Sequence, residues 1–204
     1  VSFELRQQLY TARSPIEYAY FPYSGTLSAI MIMGDGRAIE VATIGNEGMV
    51  GLGAIFGAGP SLNDVIVQVR GEGLRLDVAV LKAEIEKDGP VRDVLTRYHS
   101  AYQAQASFSV ACNGLHTVQQ RCCRWVLMTH DRVGSDSVAL THEFLAIMLG
   151  VRRPSVTEVL NPLQRKGLIH NGRGVIRILD RAGLEAVACE CYRRVREEYD
   201  RLLG

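Results

Sequence analysis

From residue 91 to residue 115 the chain steps through Val91, Val94, Tyr98, Ala101, Gln105, Phe108, Cys112 and Leu115 at alternating intervals of three and four. Such a seam, held for more than three heptads, is the pattern of one long helix. A second stripe, Leu95, Tyr102, Ala106 and Val110, lies on the adjacent face. A helix with two apolar surfaces has two things to bury them against. One is the part of the chain that precedes it, and a second copy of the same helix is the simplest candidate for the other. The first stripe is therefore expected to be a dimer interface. The alternative is one wide face buried within a single chain, and Ala101 and Gln105 are weak seam residues. The helix divides the 204 residues into a region 1–89, the helix at 90–116 and a region 117–204.

The region before Pro90 reads as β. EYAYF, TLSAIMIM and AIEVATI are rich in β-branched and aromatic residues, and the last two flank a turn at Gly34-Asp35-Gly36. VIVQVR and GLRLDV follow a glycine-punctuated stretch, GNEGMVGLGAIFGAG. Short strands at this spacing predict a sandwich or barrel. Asp77 stands where a helix cap belongs, ahead of VAVLKAEIEK.

After the long helix, Asn113-Gly114 predicts a break and Thr117 a new start, running to about residue 132. A polar loop at 134–137 precedes LTHEFLAIMLGVRRPSVTEVL. Thr141 is a candidate N-cap for the first helix of this stretch, and Gly150 supplies the turn position that few residues other than glycine tolerate. Pro154 falls in the first turn of the next helix, where a missing N–H does no harm. Val156, Val159, Leu160 and Leu163 then face inward. Arg152, Arg153, Ser155, Thr157 and Glu158 are left at the outward N-terminal end, where a helix-turn-helix presents its DNA-reading residues. Arginine can bond guanine O6 and N7 together, while hydroxyls and helix N-terminal N–H groups hold phosphates. LIHNGRGVIRI reads as a hairpin with Arg173 at its tip, like a wing, and a final helix is predicted from Asp180 through Leu202. His142, beside Thr141, is expected to meet a phosphate.

Charge supports this reading. The net charge is only +1, yet residues 1–90 hold 7 Lys/Arg against 11 Asp/Glu, and residues 141–177 hold 6 against 2. A basic island behind an acidic front points to a polyanion partner for the island alone.

With these motifs the sequence resembles the Crp/Fnr family of bacterial transcription regulators, through LT-x3-LA-x2-LGV-x-R-x-S-V and a following L-x3-GLI. The resemblance covers nearly the whole chain. It implies an α+β fold: an eight-stranded antiparallel β-roll like cyclic-nucleotide-binding domains, a long dimerisation helix and a C-terminal winged helix-turn-helix. The implied partners are double-stranded DNA, a second copy of the chain and RNA polymerase, in the cytoplasm and without a membrane. Arg153 matches the family's principal base-reading arginine. Arg152 stands where the family has a phosphate-contacting serine, and Ser155 where it has a phosphate-contacting threonine. Glu158 departs from the family's second base-contacting position, and a glutamate there could accept from cytosine N4. Pro162 sits inside the reading helix, where a kink or an early end is expected.

The nucleotide pocket that the resemblance implies looks degenerate. Gly51 is followed by Leu52, so the carboxylate that holds ribose in cyclic-nucleotide-binding members is missing. Asn63-Asp64 stand where the family has Arg-Ser, putting a negative charge beside the expected phosphate. Cyclic AMP is therefore not the expected effector, and the effector's identity stays open. Five cysteines are an odd number, and Cys122-Cys123 and Cys189-x-Cys191 lack the spacing of iron–sulfur ligands. They read as buried thiols, so no metal and no cofactor is expected. No nucleophile–base pair or catalytic carboxylate pair is visible, which argues against an enzyme. A metabolite- or redox-sensing module with a weakened DNA-binding domain is the alternative to a working regulator. Because the chain opens at Val1 almost directly on strand-like sequence, a leading segment is expected ahead of it.

Overall fold

The structure, a computed structural model, describes residues 1–57 and 59–204. Ahead of the long helix lie β1 (Ser2–Phe3), β2 (Gln8–Tyr10), β3 (Tyr18–Pro22), β4 (Thr26–Ile32), β5 (Ala38–Ile44), α1 (Leu52–Ile55), β6 (Asp64–Val69), β7 (Gly71–Asp77) and α2 (Val78–Ile85). They form two antiparallel sheets, β1-β7-β3 and β2-β6-β4-β5. Phe3, Leu27, Ala29, Ile44, Val65 and Val67 fill the space between them. Strands β3 to β7 fall on the five stretches that alternation and β-propensity mark, β1 and β2 are additions that the sequence did not mark, and the Asp77 carboxylate accepts from Ala79 N–H to open α2. Where the family resemblance implies eight strands, seven are found here among the described residues, with Val50 adding an isolated bridge to Tyr20. Strand β4 is buried on both faces. Leu27 and Ala29 look into the roll, while Ile30 packs with the C-terminal core.

Helix α3 runs from Pro90 to Leu115. Its inward stripe is Leu95, Tyr98, Ala101, Gln105, Ser109 and Cys112. This corrects the expected dimer seam, since Tyr98, Ala101, Gln105 and Cys112 are all buried within their own chain. The Tyr98 hydroxyl donates to Met49 O and Gln105 Nε2 to Thr43 O, which explains a glutamine in an otherwise apolar row. Val91 and Val94 lie toward the same side but remain exposed, in the first turns of the helix. Phe108 is half-buried beside Cys112, Cys189 and Cys191, and Leu115 is 81% exposed at the far end. The heptad period was a true helix signal whose buried side faces the chain itself. Asn113-Gly114 does not break the helix, because Cys112 anchors its last turn against Cys189 and Cys191.

Beyond it come α4 (Val118–Val133), β8 (Ser137–Ala139), α5 (His142–Leu149), α6 (Arg153–Arg165), β9 (Ile169–Gly172), β10 (Val175–Ile178), α7 (Arg181–Val187) and α8 (Cys191–Leu203). Thr117 caps α4 in a reciprocal box with Gln120. Strand β8, which starts on the last residue of the polar loop at 134–137 and is not marked as a strand by the sequence, pairs with β10 and gives the hairpin a third strand. The single last helix expected from Asp180 is two helices, because Ala188 is extended and turns the chain so that Cys189 and Cys191 are both buried. Pro162 does not end α6, which continues to Arg165. Only one turn follows the proline, and buried Leu163 docks that turn on the core.

Candidate nucleic-acid interface

Helix α5 begins at Thr141, whose hydroxyl accepts from Phe144 N–H at 3.2 Å. It ends at Gly150 in the left-handed conformation, φ 62°. A β-carbon at Gly150 would also press into the Ile39 side chain on β5, so both the turn and the neighbouring roll require glycine there. The turn delivers Arg152 as the N-cap of α6, with no side-chain cap bond. Of the first-turn positions, Pro154 has no N–H and Ser155 N–H donates to Arg152 O at 3.0 Å, which leaves the Arg153 N–H, at the positive end of the helix dipole, as the first-turn donor open to a phosphate oxygen among the described residues.

Arg152, Arg153 and Glu158 are exposed, and Ser155 is half-buried on the same turn. Arg173 is exposed at the β9–β10 turn, on the same helix-turn-helix unit. Among the described residues, none of Arg152, Arg153, Arg165, Lys166, Arg173 and Arg177 pairs with a carboxylate, although ion pairs are frequent elsewhere in the chain. The sequence reading of His142 and Thr157 needs correcting. His142 Nδ1 lies 3.0 Å from Thr157 Oγ1, and Nε2 lies 3.1 Å from Asn171 Oδ1. With both ring nitrogens engaged, His142 joins α5, α6 and the wing, and Thr157 is its partner. Gln164 Oε1 accepts from Asn171 N–H and adds a second tie between α6 and the wing. Asn171 and Gln164 were missed from sequence, since nothing local marks a residue as a brace.

The expected effector pocket exists as a cavity of about 540 Å³ between the roll and α3. Gly51, Leu52 and Asn63 line it together with Tyr10, Arg13, Met49, His99 and Tyr102. Gly51 has φ 110°, and a β-carbon there would meet the Tyr10 hydroxyl, so this glycine is required by the backbone. Asp64 does not line the cavity, which corrects the charge argument. It is 8% exposed and its carboxylate accepts from Gln8 Nε2 at 2.7 Å and from Ala12 N–H at 3.3 Å. Asn63 Oδ1 is buried without a partner among the described residues. The lining is mainly apolar, and Tyr10, Arg13, Ser61, Asn63, His99 and Tyr102 are its residues with polar side-chain groups.

A buried polar seam joins the roll to the helix-turn-helix. Glu40 on β5 receives Trp125 Nε1–H of α4 at 2.8 Å and touches Ser28 and Thr43. Ser28 has a single hydroxyl hydrogen and sits closer to Gln68 Oε1 than to Glu40, while Gln68 Nε2 donates on to Thr129. The chain of donors closes best when Glu40 itself carries a proton toward Ser28. Burial drives the carboxyl the same way, raising its pKa above the usual glutamate range. Nearby, Arg132 of α4 makes two bonds to Glu47 Oε1, and the Arg121 guanidinium donates to Leu149 O at the end of α5.

Comparison with known proteins agrees with this architecture. Residues 1–88 match the cyclic nucleotide-binding domain family, and residues 120–187 match the Crp-like helix-turn-helix domain family. A 61-residue stretch is 38% identical to the transcriptional regulator SdrP of Thermus thermophilus, and this match spans 30% of the length of each chain. The solved structure of FixK2 from Bradyrhizobium japonicum superposes with a TM-score of 0.78 at 20% identity, over 93% of this chain and 96% of that one. A CRP-family transcriptional regulator from Thermus thermophilus gives 0.75 at 22% identity, over 92% and 96%.

Proposed function

The chain belongs to the Crp/Fnr family, and from that premise we propose that it works as a homodimeric, sequence-specific DNA-binding transcription regulator. The observation that carries this reading is the uncapped, exposed start of α6, where Arg152 and Arg153 stand without an acidic partner among the described residues. Arg153 is the proposed base reader. Arg152, Ser155 and the α6 N-terminus are proposed to hold phosphates, and Arg173 to hold backbone from the wing. His142 and Thr157 keep these elements in register and do not read. Glu158 is proposed to shift the operator away from the guanine preference of an arginine at that place.

The proposed dimer forms along the solvent side of α3. Ser107, Val110, Ala111 and Leu115 are exposed on that side, Val110 at 75%. The proposed effector is a small, mainly apolar molecule in the 540 Å³ cavity, not cyclic AMP, because Leu52 offers no carboxylate to a ribose and the walls are largely apolar. An activator would in addition contact RNA polymerase, which a run-off transcription assay on the selected operator would reveal. The test of the central reading is a mobility shift with genomic fragments at low and then physiological salt. Retarded complexes that weaken steeply as salt rises are expected. No complex at low salt would overturn the reading.

A further inference from the structure

Four side chains far apart in sequence meet at the lower end of α3. Cys112 and His116 stand one helical turn apart at its C-terminal end, and Cys189 and Cys191 come from the break between α7 and α8. Their ligand atoms all lie within 4.8 Å of one another. Cys112 Sγ is 3.4 Å from Cys189 Sγ, and Cys191 Sγ is 3.7 Å from His116 Nδ1. A tetrahedral ion with Zn–S bonds of about 2.3 Å and a Zn–N bond of about 2.0 Å needs donor separations of about 3.5–3.8 Å. The pocket formed by these four side chains is therefore almost of the required size. Donors this close enclose a point, which suits one ion and leaves no room for a cluster of several irons and sulfides. From sequence no metal was expected, since neither pair alone has metal spacing.

Two surrounding features fit an ion. His116 turns its other nitrogen, Nε2, to the Glu190 carboxylate at 3.2 Å. A carboxylate on the far side of a ligating histidine is the usual means of fixing its tautomer, with the proton on Nε2 and the lone pair of Nδ1 aimed at the metal. Arg121 and Arg124 are both buried, and the Nε of each lacks a partner among the described residues. Buried cations seek negative charge. A dication held by three thiolates and a neutral imidazole carries one net negative charge, and Arg124 lies near enough to act on all three thiols. Cys189 and Glu190 also line an open surface groove, which offers a route of entry.

We propose that Cys112, His116, Cys189 and Cys191 form a closed Cys3His site for one zinc-class divalent ion, clamping the end of α3 to the start of α8. Each thiol releases its proton to solvent as the ion binds. The site is independent of whether the chain binds DNA.

The probe is cobalt chloride, titrated anaerobically into the reduced full chain after chelator treatment. One equivalent should bind with thiolate-to-cobalt charge-transfer absorption and intense tetrahedral visible bands, and added zinc should bleach both. Cys112→Ser and Cys191→Ser should abolish the charge-transfer band at one equivalent, while Cys123→Ser should leave it intact. Glu190→Gln alters only an exposed second partner and keeps the ligands, so it tests the site even if a cysteine variant misfolds. It should weaken binding about 10–100-fold at unchanged stoichiometry. Chains as purified should carry one zinc, by elemental analysis. An absent charge-transfer band in the reduced chain would overturn the proposal, as would an unchanged affinity in Glu190→Gln. A Cys112–Cys189 disulfide with no metal in the purified protein, or iron accompanied by acid-labile sulfide, would overturn it as well.

Discussion

The edge around α6 and the seam behind it hold charged groups under opposite rules. At the edge, six cations between residues 141 and 177 are left without acidic partners among the described residues. In the seam, Ser28, Glu40, Gln68 and Thr129 are buried, and each is hydrogen-bonded to another member or to Trp125. Unpaired cations on a surface cost little in water and attract a polyanion. Buried polar groups are tolerated only when satisfied, and then they fix how the elements meet. The edge is thus built for an external partner, and the seam for holding the helix-turn-helix against the roll. Changes at the edge should reduce affinity and leave stability alone, whereas changes in the seam should do the reverse.

The largest effect should come from the seam. Arg132→Ala leaves Glu47 without its partner, and loss of one member of a buried pair costs about 3–5 kcal/mol; Glu47 keeps some exposure, which argues for the lower figure. Urea unfolding would measure it. If Arg153→Ala destabilised the chain as much, the contrast between the two regions would fail. That edge substitution should instead cost about 1–3 kcal/mol of operator binding and relax one base position, with an unchanged melting temperature.

Glu40 sharpens the contrast through pH. Its folded pKa is raised by burial, so the folded chain keeps a proton that the unfolded chain gives up. The resulting stability is complete below the ordinary glutamate value of 4.5 and is lost as pH rises through the folded value. Glu40→Gln cannot ionise, so unfolding midpoints of the two proteins should diverge toward higher pH in favour of the variant. Glu40→Ala strands the Trp125 N–H and should cost about 1–3 kcal/mol at any pH. Parallel pH profiles for wild type and Glu40→Gln would show that Glu40 is already charged. The smallest effect belongs to Arg173→Ala at the wing tip. It should weaken binding about equally on all sequences and lower the salt slope by about one.

The same division explains what could be read from the sequence. Thr117, Thr141, Gly150 and Asp77 announce local geometry, because a cap or a left-handed turn depends on a few neighbouring residues. The exposed arginines were legible for a related reason, since nothing in the fold alters a group that touches only solvent. The seam was not legible. Trp125 and Glu40 are 85 residues apart, and Cys112 and Cys189 are 77 apart. The period of α3 reveals a helix but does not say which body each face meets, so on sequence alone Tyr98, Ala101, Gln105 and Cys112 fit a dimer seam. His142 beside Thr141 looked free for a phosphate until Thr157 and Asn171 were brought to its two nitrogens. Cys112 and His116 did carry a signal, a thiol and an imidazole one helical turn apart. Its partners lay in another helix.

The most direct test of the central claim is a selection of operator sequences from random duplex DNA, carried out in parallel with the wild-type chain and with Arg153→Ala. The wild type should enrich a two-fold related pair of half-sites spaced about 10–10.5 base pairs between centres. The variant should keep the spacing and lose the preference at one position in each half. Recovery of no sequence by the wild type, or of the same preference by both proteins, would contradict the account.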